Sequence, residues 1–287
     1  MKPAVCKTAS AIVGRNIYSI RITVPAQHGN RSRCNVGRTA EAMGGSIGAR
    51  GNIVIEDQAC AEYQDKTLRN LPCKRIQCDE IWQFCYAKSK NVPADKQGQF
   101  GYGDVWTWVA LCADTKLVPS WLVGRRDAAT AYALMADLEG RLSNRVQLTT
   151  DGHRAYLDAV EGVFGSNVDY SMLIKLYGND HESEVRYSPA ECIGTRIVPI
   201  IGNPDPKHIS TSFVERQNLT MRMGMRRFTR LTNAFSKKLD NLQHSIVLHY
   251  MHYNFARIHK TLRVTPAMEA QVCDHVWTIE EIARLSN

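Results

Sequence analysis

The stretch Thr149-Thr150-Asp151-Gly152-His153 decides how the rest of this chain is interpreted. It follows a strand-like run at residues 146–148, which predicts a buried strand that ends at a carboxylate. Open α/β sheets bind ligands beyond the carboxyl ends of their strands, so Asp151 is a candidate site residue. An aspartate in this position is also a common helix cap, and taken alone it favours that second interpretation.

Two further acidic stretches bear on the choice between these interpretations. Asp79 and Glu80 lie within the strand-like segment 77–84, and Glu215 lies at the front of a basic helix predicted from Phe213. Hard cations such as Mg²⁺ take oxygen ligands, and carboxylates are their usual protein source. Because these residues are far apart in sequence, only the fold can bring them to one site.

Length and charge limit the classes of protein to consider. The 287 residues are enough for one sizeable core with a smaller lobe or arm attached. The net charge of +8 favours a polyanionic partner. We find no apolar run long enough to span a bilayer and no apolar signal core after Met1, which predicts a cytoplasmic protein.

The nine cysteines do not form a recognisable metal or disulfide pattern. No Cys-x-x-Cys pair occurs, and the spacing of Cys73, Cys78 and Cys85 fits none of the usual zinc templates. An odd number of cysteines in a cytoplasmic chain predicts free thiols that are mostly buried.

Composition and pattern divide the chain into four segments. Residues 1–58 form a divergent basic segment with eight Lys or Arg residues against three acids. The rest is predicted to be a linker helix at 59–75, a catalytic domain at 76–238 and a C-terminal helical region at 239–287. The first segment is either a basic arm that binds phosphates or a poorly ordered extension, with candidate strands at 17–24 and 52–55 and a flexible glycine-rich stretch at 44–51.

The order of elements within the catalytic domain indicates its fold. We predict strands at 76–87, 105–112 and 117–124, a helix capped by Asp127, the strand ending at Asp151, a helix at 154–163 and a fifth strand within 197–201. After them come a helix from about Phe213, a helix at 242–257 and a last one capped at Thr265. This is the order of an α/β, RNase H-like mixed sheet flanked by helices, with a C-terminal helical extension and an uncertain N-terminal arm.

Five motifs in the same order give the chain a family resemblance. It resembles bacterial insertion-sequence transposases of the DDE class, in the group related to insertion sequence one, over the region from about residue 59 to the C-terminus. The motifs are Cys78-Asp79-Glu80-Ile81-Trp82, Gly103-Asp104-Val105-Trp106-Thr107-Trp108, Thr150-Asp151-Gly152-His153, Ser212-Phe213-Val214-Glu215-Arg216-Gln217-Asn218, and the block from Tyr253 to Leu262 with Thr265-Pro266.

The resemblance implies a retroviral-integrase-like core with Asp79, Asp151 and Glu215 as the catalytic and metal-binding triad. Two Mg²⁺ ions, with Mn²⁺ as an expected substitute, would serve DNA strand cleavage and strand transfer. The partners would be double-stranded DNA, both element ends and target, and further copies of the chain in a synaptic complex. A nucleoid-associated protein in the cytoplasm is expected.

Other residues near the triad have competing interpretations. Glu80 should face the opposite side of its strand from Asp79, so that only one of the two points into the site. Turns and a helix cap account for Asp104, Asp114 and Asp127. His153 is either a residue that positions phosphate or water, or a structural histidine.

A run of basic residues accompanies the helix that carries Glu215. It predicts contacts with the DNA backbone, and the alternative is a solvated basic face. The candidate DNA-binding residues are Arg216, Arg222, Arg226, Arg227, Arg230, Lys237, Lys238, Arg257, His259 and Lys260. Core packing is the simpler interpretation of Met221, Met223 and Met225, and of Trp82, Trp106, Trp108 and Trp121.

The first 58 residues depart from the family pattern. The family usually carries an N-terminal helix-turn-helix that recognises element ends, and no capped pair of amphipathic helices can be drawn here. Two other functions therefore stay open: a catalytically impaired DNA-binding remnant or regulator, and an RNase H-like nuclease.

Overall fold

The structure is a computed structural model that describes residues 19–23, 52–178, 192–229 and 233–286. Its strands are β1 (Ser19–Thr23), β2 (Asn52–Glu56), β3 (Arg75–Cys85), β4 (Gly103–Cys112), β5 (Ser120–Gly124), β6 (Val146–Asp151), β7 (Val168–Tyr177) and β8 (Cys192–Ile201). Its helices are α1 (Asp57–Thr67), α2 (Ala128–Glu139), α3 (Ala155–Phe164), α4 (Ser212–Gly224), α5 (Leu239–Met251), α6 (Pro266–Glu269) and α7 (Ile279–Ala283).

Six of the strands form one mixed sheet in the order β5-β4-β3-β6-β7-β8. β3, β4 and β5 are an antiparallel meander, β6 lies parallel to β3, β7 lies parallel to β6, and β8 returns antiparallel to β7. The predicted fold class is confirmed: the chain is α/β, with a mixed sheet flanked by helices that is compatible with an RNase H-like fold. Pro119 immediately precedes the edge strand β5, as expected for a residue that cannot donate to a ladder.

The predicted position of the fifth strand is wrong. That strand is β7, and residues 197–201 belong to a sixth strand, β8. The apolar pattern at 197–201 does not come from burial, because Ile197 and Ile200 are 42% and 41% exposed. β7 is hard to recognise because its residues change from buried to exposed along the strand.

The two faces of the sheet carry separate apolar cores. On one face, α2 and α3 contribute Leu134 and Tyr156 to a cluster that includes Cys78 of β3. On the other face, α4 and α5 contribute residues such as Val214 to a cluster around Ile81. Because Cys78 and Ile81 are an odd number of residues apart in one strand, their side chains point to opposite faces. Residues of β3 therefore reach both helical layers.

The C-terminal helices pack into these cores. The helix predicted at 242–257 begins at Leu239 and continues after Met251 as a π-helical turn, His252–Ala256. Asn254 in that turn is fully buried. Its side-chain amide accepts from the backbone N–H of Val118 and donates to the C=O of the same residue, both at 3.0 Å. These hydrogen bonds join the C-terminal region to the connection between β4 and β5.

Local capping follows the sequence at two predicted positions. The Asp127 carboxylate accepts from the backbone N–H of Thr130 at 2.9 Å and begins α2. Thr265 accepts from Met268 N at 3.2 Å and begins α6. No helix in the part of the chain that the structure describes has the length and apolar character needed to cross a membrane.

The N-terminal segment is described only in part. β1 and β2, which overlap the candidate strands at 17–24 and 52–55, pair antiparallel, and β2 leads directly into α1. The glycine-rich stretch predicted at 44–51, Cys6 and Cys34 lie outside the described residues. The four segment boundaries therefore stay predictions.

Candidate metal centre

Two neighbouring parallel strands bring the first two predicted carboxylates together. Cys78 of β3 pairs with Thr150 of β6, so Asp79 and Asp151, one residue further along each strand, lie side by side. Asp151 is the last residue of β6 and lies at the strand tip. The carboxylate oxygens of Asp79, Glu80 and Asp151 come within 4.8 Å of one another, a spacing that suits one metal ion.

Glu80 corrects the expectation that only one of the adjacent acids can reach the site. It is on the opposite face of β3 from Asp79, as alternation requires, but its carboxylate extends around the tip of the neighbouring strand toward Asp151. Its side chain is only 1% exposed. The candidate ligand set thus includes Glu80, because Asp151 at a strand end is reachable from both faces.

Arg126 neutralises part of this acidic cluster. Its Nε lies 3.2 Å from Glu80 Oε2, and a terminal guanidinium nitrogen lies 3.8 Å from Asp151 Oδ2. The guanidinium carbon also lies 4.8 Å from the ring centroid of Trp106. The cation is therefore held between an aromatic ring and two carboxylates.

Glu215 approaches from the helix layer. Gln77 of β3 fixes the start of α4, because its Oε1 accepts from the backbone N–H groups of Phe213 at 2.9 Å and Val214 at 3.1 Å. The side chain of the N-cap residue, Thr211, makes no capping hydrogen bond itself. Glu215 lies in the first turn, where its Oε1 accepts from the Thr211 hydroxyl at 2.5 Å.

The second oxygen of Glu215 is bound to a lysine. Lys175 of β7 places its Nζ 2.5 Å from Glu215 Oε2. Glu215 is thus outside the tight group of three carboxylates, but it lines the same cavity as Asp79 and Asp151. The structure brings all three predicted catalytic residues to one cavity of about 580 Å³, which Arg126 and Lys175 also line.

The electrostatics of the cluster show an excess of negative charge. Burial and the charge of Asp151 raise the pKa of Asp79 from 3.8 to about 7. The same two causes raise the pKa of Glu80 from 4.5 to about 8, although Arg126 opposes the shift. Since each proton on these groups can be replaced by a cation, divalent ion binding would release protons near neutral pH.

The residues present fit a hard divalent cation. All candidate ligands are carboxylate oxygens, which suit Mg²⁺ or Mn²⁺ better than softer metals. The Glu80 carboxyl is buried beside the Tyr156 hydroxyl, and a hydrogen bond from this hydroxyl acts to lower its pKa. Asn218 of α4 donates to Asp79 Oδ2 at 2.9 Å and orients that carboxylate.

His153 has a structural hydrogen bond and an unpaired nitrogen. Its Nδ1 accepts from the backbone N–H of Ala155 at 3.1 Å, so the proton of the neutral ring is on Nε2. Nε2 is buried without a partner in the described part of the chain, and the ring lies 5.6 Å from that of Trp108. Its backbone N–H donates to Asp151 Oδ1 at 3.0 Å. The main-chain contact therefore positions Asp151, whichever role the ring has.

The remaining acids that were set aside have the structural roles expected of them. Asp127 caps α2, and Asp114 lies in a turn, where it forms an ion pair with Arg75. Asp104 is an exception, because it is an exposed residue of β4 and not of a turn. Trp108 is fully buried, whereas Trp82, Trp106 and Trp121 are only partly buried, so the expectation of a sheet core holds best for Trp108. Met221 and Met225 are core residues, but Met223 is 72% exposed.

The thiols agree with the sequence-based expectation. Five of them, in the range 60–112, are buried and unpaired, and Cys192 is exposed. No cysteine belongs to a candidate metal cluster in the described ranges.

The predicted DNA-binding residues around α4 differ in accessibility. Arg216 and Arg226 are exposed. Arg222 donates to a backbone carbonyl at 3.1 Å and Arg227 to a serine hydroxyl at 3.0 Å, which gives both of them structural contacts. Arg230 lies outside the described residues.

Further along the chain, four of the candidate basic residues are exposed. They are Lys237, Lys238, Arg257 and Lys260. His259 is half-buried, and burial together with neighbouring cations lowers its pKa. It is therefore the weakest of these candidates for a charged phosphate contact.

Arg126 and Lys175 are the site residues that the sequence-based prediction missed. Arg126 lies in a turn before the α2 cap, where nothing in the local pattern points to the strand tip. Lys175 had a usable signal: Leu173 pairs with Asp151, so a lysine two residues further along β7 lies on the same face. Recognition of β7 as the fifth strand would have identified it.

Comparison with known proteins adds no assignment. No protein-family profile matches the chain, and no curated protein matches it in sequence. The functional interpretation therefore depends on the carboxylate geometry and on the motifs in the sequence.

Proposed function

We propose that this chain is a DDE-type DNA transposase that cleaves the 3′ ends of an insertion element and joins them to target DNA. The observation that supports this most directly is the arrangement of Asp79, Asp151 and Glu215 around one cavity, on the strands and helix where an RNase H-like fold would carry them. The net charge of +8 and the exposed Arg216, which follows Glu215 in the sequence, favour a polyanionic substrate.

The carboxylates have distinct roles in this proposal. The charges of Asp151 and Glu215 both act to raise the pKa of Asp79, so Asp79 is the candidate for a ligand shared between two ions. Glu80 and Asp151 would complete one ion's ligands and Glu215 the other's. Two Mg²⁺ ions would polarise the scissile phosphate and stabilise the attacking and leaving oxygens.

The chain's own cations would position the DNA. Arg126 and Lys175 both line the cavity, and their side chains are 42% and 32% exposed. A phosphodiester placed between them would meet positive charge where negative charge increases during the reaction. Strand joining then forms a bond from the element's 3′ oxygen to a target phosphorus and breaks the target's own bond to its 3′ oxygen. Two element ends must come together for this step, which favours a homo-oligomer. Its DNA substrate favours action at the nucleoid, in the cytoplasm.

The test is strand joining by the full-length chain with Mg²⁺. Candidate inverted-repeat ends, enriched for binding from a randomised duplex pool, would be incubated with target DNA, and joined products would be resolved on sequencing gels. We expect Asp151→Asn to abolish joining and to leave DNA binding within about twofold, because the lost carboxylate is a metal ligand and not a phosphate contact. Asp104→Asn is the matched control, since Asp104 is an exposed carboxylate outside the cavity.

The possible results separate the three functions. Cleavage without joining would favour the nuclease, and end binding with neither reaction would favour the remnant or regulator. Full joining activity in Asp151→Asn would contradict the metal-site assignment altogether.

A further inference from the structure

Lys175 connects the two sides of the cavity. It extends from β7 to α4 and places its Nζ 2.5 Å from Glu215 Oε2. Both partners are partly exposed, with side chains that are 32% and 36% accessible, so the pair is open to exchange with solvent ions. Because Leu173 pairs with Asp151, Lys175 also faces the acidic cluster.

Both oxygens of Glu215 already accept a hydrogen bond. Oε1 accepts from the Thr211 hydroxyl at 2.5 Å, and Oε2 accepts from Lys175. Each oxygen has a second lone pair for a metal ion, but a divalent cation at Oε2 would repel the ammonium that is already bound there. The ammonium is the direct competitor, since it and the cation would each satisfy the same negative charge.

The second cation of the cavity does not have this freedom. Arg126 is hydrogen-bonded to Glu80, pairs with Asp151 and lies over the ring of Trp106. Lys175, on a flexible four-carbon stem, can move its ammonium by several ångströms without disturbing the strand. Arg126 is therefore held in place, whereas the ammonium of Lys175 can move.

We propose that Lys175 is a positioning residue that exchanges partners when divalent cations bind: it holds Glu215 in the metal-free protein and pairs with a phosphate oxygen of the DNA strand in the loaded site. This rests on the proposed function, because it takes Glu215 as a metal ligand. The ammonium offsets the charge of Glu215 in the metal-free protein and that of the phosphate in the loaded site. It also prevents Glu215 from turning away before a metal ion arrives.

Metal binding without DNA tests the exchange directly. Mn²⁺ would be titrated into the full-length protein at fixed pH, and free Mn²⁺ would be followed by electron paramagnetic resonance. We expect Lys175→Met to bind Mn²⁺ about twofold to fivefold more tightly than wild type, because the competing ion pair is of the partly exposed kind. Lys175→Arg keeps the charge and should stay near wild type. Lys207→Met is the matched control, since Lys207 is an exposed lysine outside the cavity.

A double-mutant cycle links the effect to Glu215. In a Glu215→Gln background, Lys175→Met should raise Mn²⁺ affinity by less than it does in the wild-type protein, because the carboxylate for which the ammonium and the metal ion compete is absent. With DNA present, Lys175→Met should lower the salt dependence of DNA binding by about one ion. The variant should also join strands more slowly than wild type, although it binds the metal ion more tightly. A tighter metal site with slower chemistry is not expected of a lysine that only holds the helix in place.

The failures of the two proposals are distinguishable. If the wild-type protein does not bind Mn²⁺, or if Asp151→Asn does not abolish that binding, the metal centre and the proposed function both fail. If wild type binds Mn²⁺ in this way but Lys175→Met binds it equally or more weakly, only the exchange is overturned. Thermal unfolding in chelator, measured on every variant, identifies any that do not fold, and Lys175→Gln then replaces Lys175→Met.

Discussion

Removal of the buried charge of Asp79 should make the metal-free protein more stable. Burial and Asp151 raise the pKa of Asp79 from 3.8 to about 7 in the folded chain. The native state therefore binds more protons than the unfolded state between these two values. Its stability falls as pH rises through that window, and the full cost is present above pH 7. Asp79→Asn keeps an oxygen that can accept from Asn218 and removes the charge, so it should unfold at a higher temperature.

The magnitude follows from the size of the shift. A rise from 3.8 to about 7 sets an upper bound of about 4 kcal/mol on the cost of ionising Asp79 in the folded state, at about 1.36 kcal/mol for each pKa unit. An amide in this position is also poorly matched to a site built for carboxylates, so we expect a net gain on the order of 1–3 kcal/mol. For a chain of this size that raises Tm by about 2–6 °C.

The assay is differential scanning calorimetry in chelator at pH 8 and pH 5.5. The gain for Asp79→Asn should be largest at pH 8 and smaller at pH 5.5 by on the order of 1–2 kcal/mol, because Asp79 is then protonated in native wild type. Added Mg²⁺ should narrow the difference, since only wild type gains from binding the ion. Asp104→Asn, an exposed carboxylate, should match wild type at both pH values.

Two results would refute the reasoning. A lower Tm for Asp79→Asn at pH 8 would mean that the carboxylate stabilises the fold in the absence of metal. A gain of the same size at both pH values would show that the effect does not come from ionisation.

Three further predictions concern residues outside the carboxylate cluster. Asn254→Ala should lower the free energy of unfolding by roughly 2–4 kcal/mol in denaturant titrations, because it leaves the buried N–H and C=O of Val118 without partners. Arg222→Ala should lower Tm and leave the salt dependence of DNA binding unchanged, because Arg222 makes structural contacts. Arg216→Ala should reduce the slope of that salt dependence by about one and leave Tm unchanged. The reverse pattern would contradict the assignment of Arg222 to the fold and of Arg216 to DNA. Gly202→Ala should lower Tm in thermal melts by several degrees, because the glycine has a φ of 69° and a Cβ there would meet atoms closer than 3 Å.

The sequence was sufficient for the parts of the site that local pattern controls. Asp79 and Asp151 lie in apolar strands that are buried along most of their length, and the parallel pairing of those strands places them side by side. Glu215 lies in the first turn of a helix. Strand and helix patterns with the order of the elements account for these positions, whereas the choice of these three residues as the triad is what the family resemblance implies.

The missed residues depend on contacts between distant segments. Lys175 could not be assigned while the fifth strand was placed at 197–201, because its face depends on the pairing of Leu173 with Asp151. Arg126 reaches its partners from a turn, and no periodicity describes a turn. Glu80 shows the limit of the alternation rule, since a long side chain beside a strand end can reach ligands on either face.

The balance of charge argues that the cluster exists for a ligand. Two arrangements could account for buried acids: an ion-pair network that supports the fold, or a cation site. A supporting network would match each acid with a base, and here four carboxylates, Asp79, Glu80, Asp151 and Glu215, have two cations, Arg126 and Lys175, within salt-bridge distance of any of them in the described chain. Asp79 and Glu80 are the buried members of this set, and burying negative charge in excess of its cations costs stability that well-packed apolar residues would not. A site that is costly when empty of cations and becomes balanced when they bind is therefore better explained by metal binding than by support of the fold.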